Sequence, residues 1–124
     1  MMSEPLPYSR SRQYFRVACH LPAWARNAWR SVEGRCRNLS AQGMLLSCAG
    51  APLPVGESVD LLLELPVGGP VRVCGEVRYH CAMPQGAGAM GILFTNMAEG
   101  HLARLRAFLD AAERLGGGAQ PHEG

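Results

Sequence analysis

From Val17 onward apolar and polar side chains alternate with a period of two, which is the pattern of strands buried on one face. Val17, Cys19, Leu21 and Ala23 form one set, against Ala18, His20, Pro22 and Trp24. The spacing predicts a second strand over 31–39. There Val32 and Cys36 share one parity and Leu39 takes the other, so a bulge or strand end is expected near Asn38, turning Asn38 and Ser40 toward solvent. Met44 to Cys48 reads as a short third strand, closed by the turn-rich stretch Ala49 to Gly56. A fourth strand has Val59, Leu61, Leu63 and Leu65 on one face, and Pro66 to Pro70 make a loop. In the fifth strand Val71, Val73, Val77 and Tyr79 are expected on one face, with Arg72, Glu76, Arg78 and His80 on the other. A glycine-rich loop around Gly86 and Gly88 leads into a last strand containing Met90, Ile92 and Phe94.

Only beyond this point does the period lengthen. Leu102, Leu105, Phe108, Leu109 and Ala112 recur at helical spacing, Asn96 and Glu99 have the spacing of a capping box, and Gly116 to Gly118 end the run. The elements together predict an all-β fold with a C-terminal helix: a six-stranded antiparallel β-barrel with one packed α-helix at about 97–115. With 124 residues there is one domain. Residues 1–11 are expected to be a flexible arm, 12–115 the barrel with its helix, and 116–124 a disordered tail.

Charge is distributed unevenly. Seven arginines in the first 37 residues stand against Glu4 and Glu33, net +5, whereas the remaining five arginines face eight acidic groups, net −3. The chain contains no lysine. Arginine's planar fork grips phosphate or a guanine edge with two bonds, although a GC-rich genome accounts for the bias as a whole, so only the placement of particular arginines is informative.

Two polar signatures have such a placement. Arg12-Gln13-Tyr14-Phe15-Arg16 lies just before the first strand, and Asn38-Leu39-Ser40-Ala41-Gln42-Gly43 closes the second. With Gly91-Ile92-Leu93-Phe94 near the end of the barrel, the arrangement over residues 8 to 112 resembles the PilZ family. That resemblance implies a six-stranded barrel that binds cyclic di-GMP through Arg12, Arg16, Asn38, Ser40 and Gly43, with Arg10 as a possible further contact. The chemistry of the residues agrees. Cyclic di-GMP carries two phosphates and two guanines, and a guanine offers O6 and N7 to a bidentate arginine and its face to stacking. Asn38 supplies a donor and an acceptor, Ser40 a hydroxyl, and Gly43 a position expected to take positive φ and let the ligand approach. The bland alternative for 38–43 is an ordinary turn held by Asn and Ser side chains.

The resemblance implies a receptor that changes its surface on binding and so regulates a partner protein in motility, adhesion or biofilm control. Ligand is expected to draw the N-terminal arm onto the barrel. One alternative is a PilZ-like adaptor that works without nucleotide. Another is a small barrel for single-stranded RNA, which would need more aromatic residues than the 6% here. No DNA partner and no membrane insertion are expected, and the chain is expected to be a monomer or weak dimer.

Other signals carry less. Gly86 to Gly91 spells G-x-G-x-x-G but runs into a strand pattern, not a helix. His20, His80, Cys81 and His101 lack the paired spacing of a metal site, and no cofactor is expected. No nucleophile, base and orienting acid are marked out, so no enzymatic role is expected. Cys19, Cys36, Cys48, Cys74 and Cys81 form no C-x-x-C pair and read as free, buried thiols. Met1 to Pro7 contain no apolar leader and no later stretch is long enough to span a bilayer, so a cytoplasmic protein is expected and the Asn38-Leu39-Ser40 sequon has no route to glycosylation. Trp24, Trp29 and Tyr79 read as packing or rim residues.

Overall fold

The computed structural model describes residues 17–84 and 88–116. Strands β1 (Val17–Arg26), β2 (Ser31–Leu39), β3 (Gly43–Cys48), β4 (Ser58–Glu64), β5 (Pro70–Ala82) and β6 (Gly88–Asn96) are followed by helix α1 (Glu99–Gly116). All neighbours are antiparallel and the order β1-β2-β3-β6-β5-β4 closes on itself through the β1–β4 pair, Ala23 to Arg26 against Leu63 to Asp60. Closure gives every strand a neighbour on both sides, although on the β4 side of β1 the pairing covers only Ala23 to Arg26. The expected barrel with one helix is therefore the observed fold.

The alternation seen in the sequence fills the interior. Ala23, Ala25, Val32, Leu46, Leu63, Val71 and Val77 are among the inward residues with almost no exposure. Burial of each large aliphatic side chain is worth about 1.5–3 kcal/mol relative to leaving it in water. Leu105 and Leu109 of α1 join the same core, with Met97 and Phe108 packed against it. The helix is further tied to the β4–β5 turn by Arg104 Nη1, which donates to the Gly68 carbonyl at 2.6 Å, and to β5 by the Arg72 amide, which donates to His101 Nδ1 at 2.9 Å.

Strand directions give the barrel two distinct ends. The β1–β2 turn (27–30) and the long 49–57 connection share one. The β2–β3 loop, the β4–β5 turn, the start of β1 and the start of α1 share the other. Residues 49–57 must pass from β3 to β4, which are not neighbours in the barrel, and they carry Leu53 into the core as a plug.

Three local expectations are corrected. Asn96 is the last residue of β6, paired with Cys74, and the Leu102 amide bonds to the Ala98 carbonyl at 2.9 Å, so the helix is capped at Ala98 without a capping box. Tyr79 does not face inward with Val77: Val77 pairs with Ile92 and Tyr79 with Gly91, so Arg78 is an extra residue and the phase of β5 reverses. Cys74 and Cys81 are exposed, while Cys36 and Cys48 are buried and Cys19 is half-buried.

Candidate functional site

The alternation break at the end of β2 is a bulge. Cys36 pairs with Leu46 and Asn38 with Leu45, which leaves Arg37 as the extra residue. Before it, Val32 and Cys36 point inward; after it, Leu39 does, with 1% exposure. Asn38 is thereby turned to the outer face, as the sequence predicts, and its side chain makes no hydrogen bond among the described residues. Its amide has two donors and an acceptor that no described residue uses. Arg37, half-buried beside it, is a candidate that the sequence reading passed over. The signal was the same parity break, which marks a bulge without saying which residue is the extra one.

Ser40 differs from expectation. It is buried at 7% exposure and does not face solvent. Its Oγ accepts from the Gln42 amide at 3.1 Å and lies 3.5 Å from the Gly43 carbonyl, while the Ser40 amide donates to that carbonyl at 3.0 Å. The serine therefore shapes the two-residue loop Ala41–Gln42, and the side-chain-held turn is realised at this position. The loop is fixed from β6 too, since the Phe94 amide donates to the Gln42 carbonyl at 2.7 Å.

Gly43 also has a different reason from the one the sequence suggests. Its φ is not positive; among the described residues only Gly56, Gly68 and Gly69 have positive φ. A Cβ at Gly43 would run into the Ile92 carbonyl oxygen of β6. The glycine permits close β3–β6 pairing beneath the loop.

Register extends the site sideways. Ala18 of β1 pairs with Asn38, Asn38 with Leu45, Leu45 with Gly91 and Gly91 with Tyr79. This is one continuous row on the outer surface, because the flanking Val17, Leu39, Met44, Leu46, Met90 and Ile92 all belong to the core or pack against it. The Tyr79 ring lies over Gly91, occupying the space a Cβ would need, and is 40% exposed. The row offers a free amide at Asn38, an apolar floor at Leu45 and Gly91, and an aromatic ring at its far side.

Arg10, Arg12 and Arg16 lie outside the described residues. The first described residue, Val17, directly follows Arg16 in sequence and is the cross-strand partner of Leu39, with Ala18 partnering Asn38. Trp29, 81% exposed, sits in the β1–β2 turn at the opposite end, about 26 Å away along β2. Among the described residues no group of three or more His, Cys, Asp or Glu is placed to hold a metal ion, and no helix is long and apolar enough to cross a membrane.

A closed six-stranded barrel with a bulged, polar β2–β3 hairpin and one docked helix defines a small β-barrel module. The chain belongs to the PilZ family: the model of the PilZ domain matches residues 10–111. Solved structures share the fold at low identity. The Bacillus subtilis inhibitor of motility (MotI/DgrA) has a TM-score of 0.67 and 23% identity over 83% of this chain and 49% of its own, so the chain spans about half that protein's length. The PilZ domain of Escherichia coli YcgR, solved with c-di-GMP, has a TM-score of 0.66 and 16% identity over 83% of this chain and 92% of that one. The PilZ domain of CeSA from a cellulose-synthesizing bacterium gives 0.59 and 18% over 80% and 98%. None of the curated proteins matches the chain.

Proposed function

We propose that this chain is a cytoplasmic receptor for cyclic di-GMP, with no catalytic step of its own, whose ligand-bound surface regulates a partner protein. Arg12 and Arg16, with Arg10 beside them, supply guanidinium forks for phosphate and guanine. Asn38 meets a base edge, and Ser40 and Gly43 hold the hairpin in the shape that presents it. Arg37 adds positive charge at the bulge, and Tyr79 offers a ring face to a base that extends along the outer row.

The observation that carries this reading is the pairing of Val17 with Leu39 and of Ala18 with Asn38. Consecutive Cα atoms are about 3.8 Å apart, so Arg16 starts one residue from the hairpin that carries the second motif. The family match from residue 10, which includes both motifs, and the c-di-GMP held by the YcgR PilZ domain support the same ligand.

Isothermal titration with cyclic di-GMP tests it. Arg12→Ala and Arg16→Ala should each cost about 1.5–3 kcal/mol, roughly ten- to a hundredfold in affinity. Amide exchange in residues 8–16 should slow on adding the ligand. A chain that gives no heat with cyclic di-GMP would instead be an adaptor that works without nucleotide.

A further inference from the structure

Cys19 and Cys36 meet inside the barrel next to the bulge. Between the pairs Ala18–Asn38 and Leu21–Cys36, β1 has one residue more than β2, and this irregularity brings the two sulfurs to 3.6 Å with both thiols free. Each thiol is also linked to the bulge backbone. Cys19 donates to the Cys36 carbonyl at 3.2 Å, and Cys36 donates to the Asn38 carbonyl at 3.4 Å. A disulfide needs an S–S separation of about 2.05 Å, so about 1.5 Å of closure would bond them. Both thiol-to-carbonyl hydrogen bonds would be lost in the process.

We propose that Cys19 and Cys36 form a reversible disulfide when a hydroperoxide oxidises Cys19, and that this bond weakens ligand capture by deforming the bulge that presents Asn38. The second half rests on the cyclic di-GMP reading given above; the thiol chemistry does not.

The division of labour follows from position. Cys19 is half-exposed and meets the oxidant, whereas Cys36 is buried. Once Cys19 is ionised, the Cys36 S–H turns from the Asn38 carbonyl to the Cys19 sulfur, and this bond holds the Cys19 pKa below the ordinary thiol value against the opposing effect of burial, with Leu21's backbone and the Arg37 charge assisting. The same hydrogen bond, together with burial, pushes Cys36 far upward, so Cys19 is the thiol that ionises first; when Cys19 becomes a sulfenic acid that bond to a thiolate is gone and the 3.6 Å approach is what lets Cys36 react second. The Cys19 thiolate attacks the peroxide, the O–O bond breaks, and a sulfenic acid forms as an alcohol (water, for hydrogen peroxide) departs with the thiol proton. The Cys36 sulfur then attacks the Cys19 sulfur, its proton passes to the leaving hydroxyl, the S–O bond breaks and water leaves. Two electrons pass from the sulfurs to the peroxide, and a dithiol reductant reverses the bond.

The test uses the full chain with the exposed thiols removed (Cys74→Ser, Cys81→Ser), treated with hydrogen peroxide, alkylated and cleaved after arginine. The expected product joins peptide 17–26 to peptide 36–37 with the loss of two hydrogens, and it disappears with dithiothreitol or in Cys19→Ser. Titration with cyclic di-GMP should show the oxidised form binding about 2- to 30-fold more weakly than the reduced form. Absence of the joined peptide, or joining of Cys19 to Cys48, overturns the proposal. A joined peptide with equal affinities overturns its regulatory half. A joined peptide with no binding by either form leaves the thiol pair standing and sinks the cyclic di-GMP reading instead.

Discussion

At the β1–β2 end of the barrel the 49–57 connection is fastened from several sides. Leu53 is fully buried, its amide lies 3.3 Å from Met90 Sδ and its carbonyl 2.7 Å from His80 Nε2. Arg30 donates to the Ala51 and Pro52 carbonyls, and Gly56 and Glu57 exchange backbone bonds with Val77. At the β2–β3 end the turn is short and held by Ser40 and by the Phe94 amide on the Gln42 carbonyl, the neighbouring Asn38 amide has no partner among the described residues, and a bulge interrupts the ladder. The 49–57 connection spends its polar groups on the barrel, whereas the β2–β3 hairpin leaves the Asn38 side chain without a partner among the described residues. Hydrogen bonds made internally rigidify an element, whereas unspent donors on a fixed scaffold serve recognition.

If this contrast holds, stability and ligand affinity respond to different substitutions. The largest effect is expected from Leu53→Ala, which empties the plug: denaturant titration should show a loss of about 2–5 kcal/mol, with affinity for cyclic di-GMP changed less than about twofold. Arg16→Ala should do the reverse, losing about 1.5–3 kcal/mol of binding while the unliganded melting temperature stays put. Gly43→Ala should affect both measurements, because the added methyl forces β3 away from the Ile92 carbonyl beneath the hairpin; about 1–3 kcal/mol of stability is expected to go, with weaker binding. Ser40→Ala is the smallest, about 1 kcal/mol from the lost bond to the Gln42 amide. Its amide-exchange signature should be confined to residues 40–43. Faster exchange spreading into 49–57 would mean that the two ends are coupled, contrary to the comparison.

Much of the frame was legible beforehand because burial on one face writes itself as a period of two. The strands and the break before Asn38 follow from that period, and the helix from the longer one that replaces it after β6. Tyr79 departs from the expected inward face because nothing local distinguishes an inward aromatic from an outward one; the extra residue at Arg78 exists only relative to β6. Ser40 could be expected at the site but not assigned its bonds, since a hydroxyl suits a ligand and a turn equally. The capping box was a spacing match overridden by the continuation of β6 to Asn96. The thiol pair was invisible for a similar reason: Cys19 and Cys36 are 17 positions apart and meet only because one strand gains a residue on the other.

The sequence by itself determined the barrel class, the terminal helix and the two polar signatures, because strand period, helix period and motif order are properties of neighbouring residues. Tertiary structure alone decided that Asn38, Leu45, Gly91 and Tyr79 share one outer row, that Gly43 serves the β3–β6 contact, and that two thiols face each other behind the bulge. Those outcomes depend on register and closure between strands far apart in the chain, where one extra residue reverses every side chain that follows.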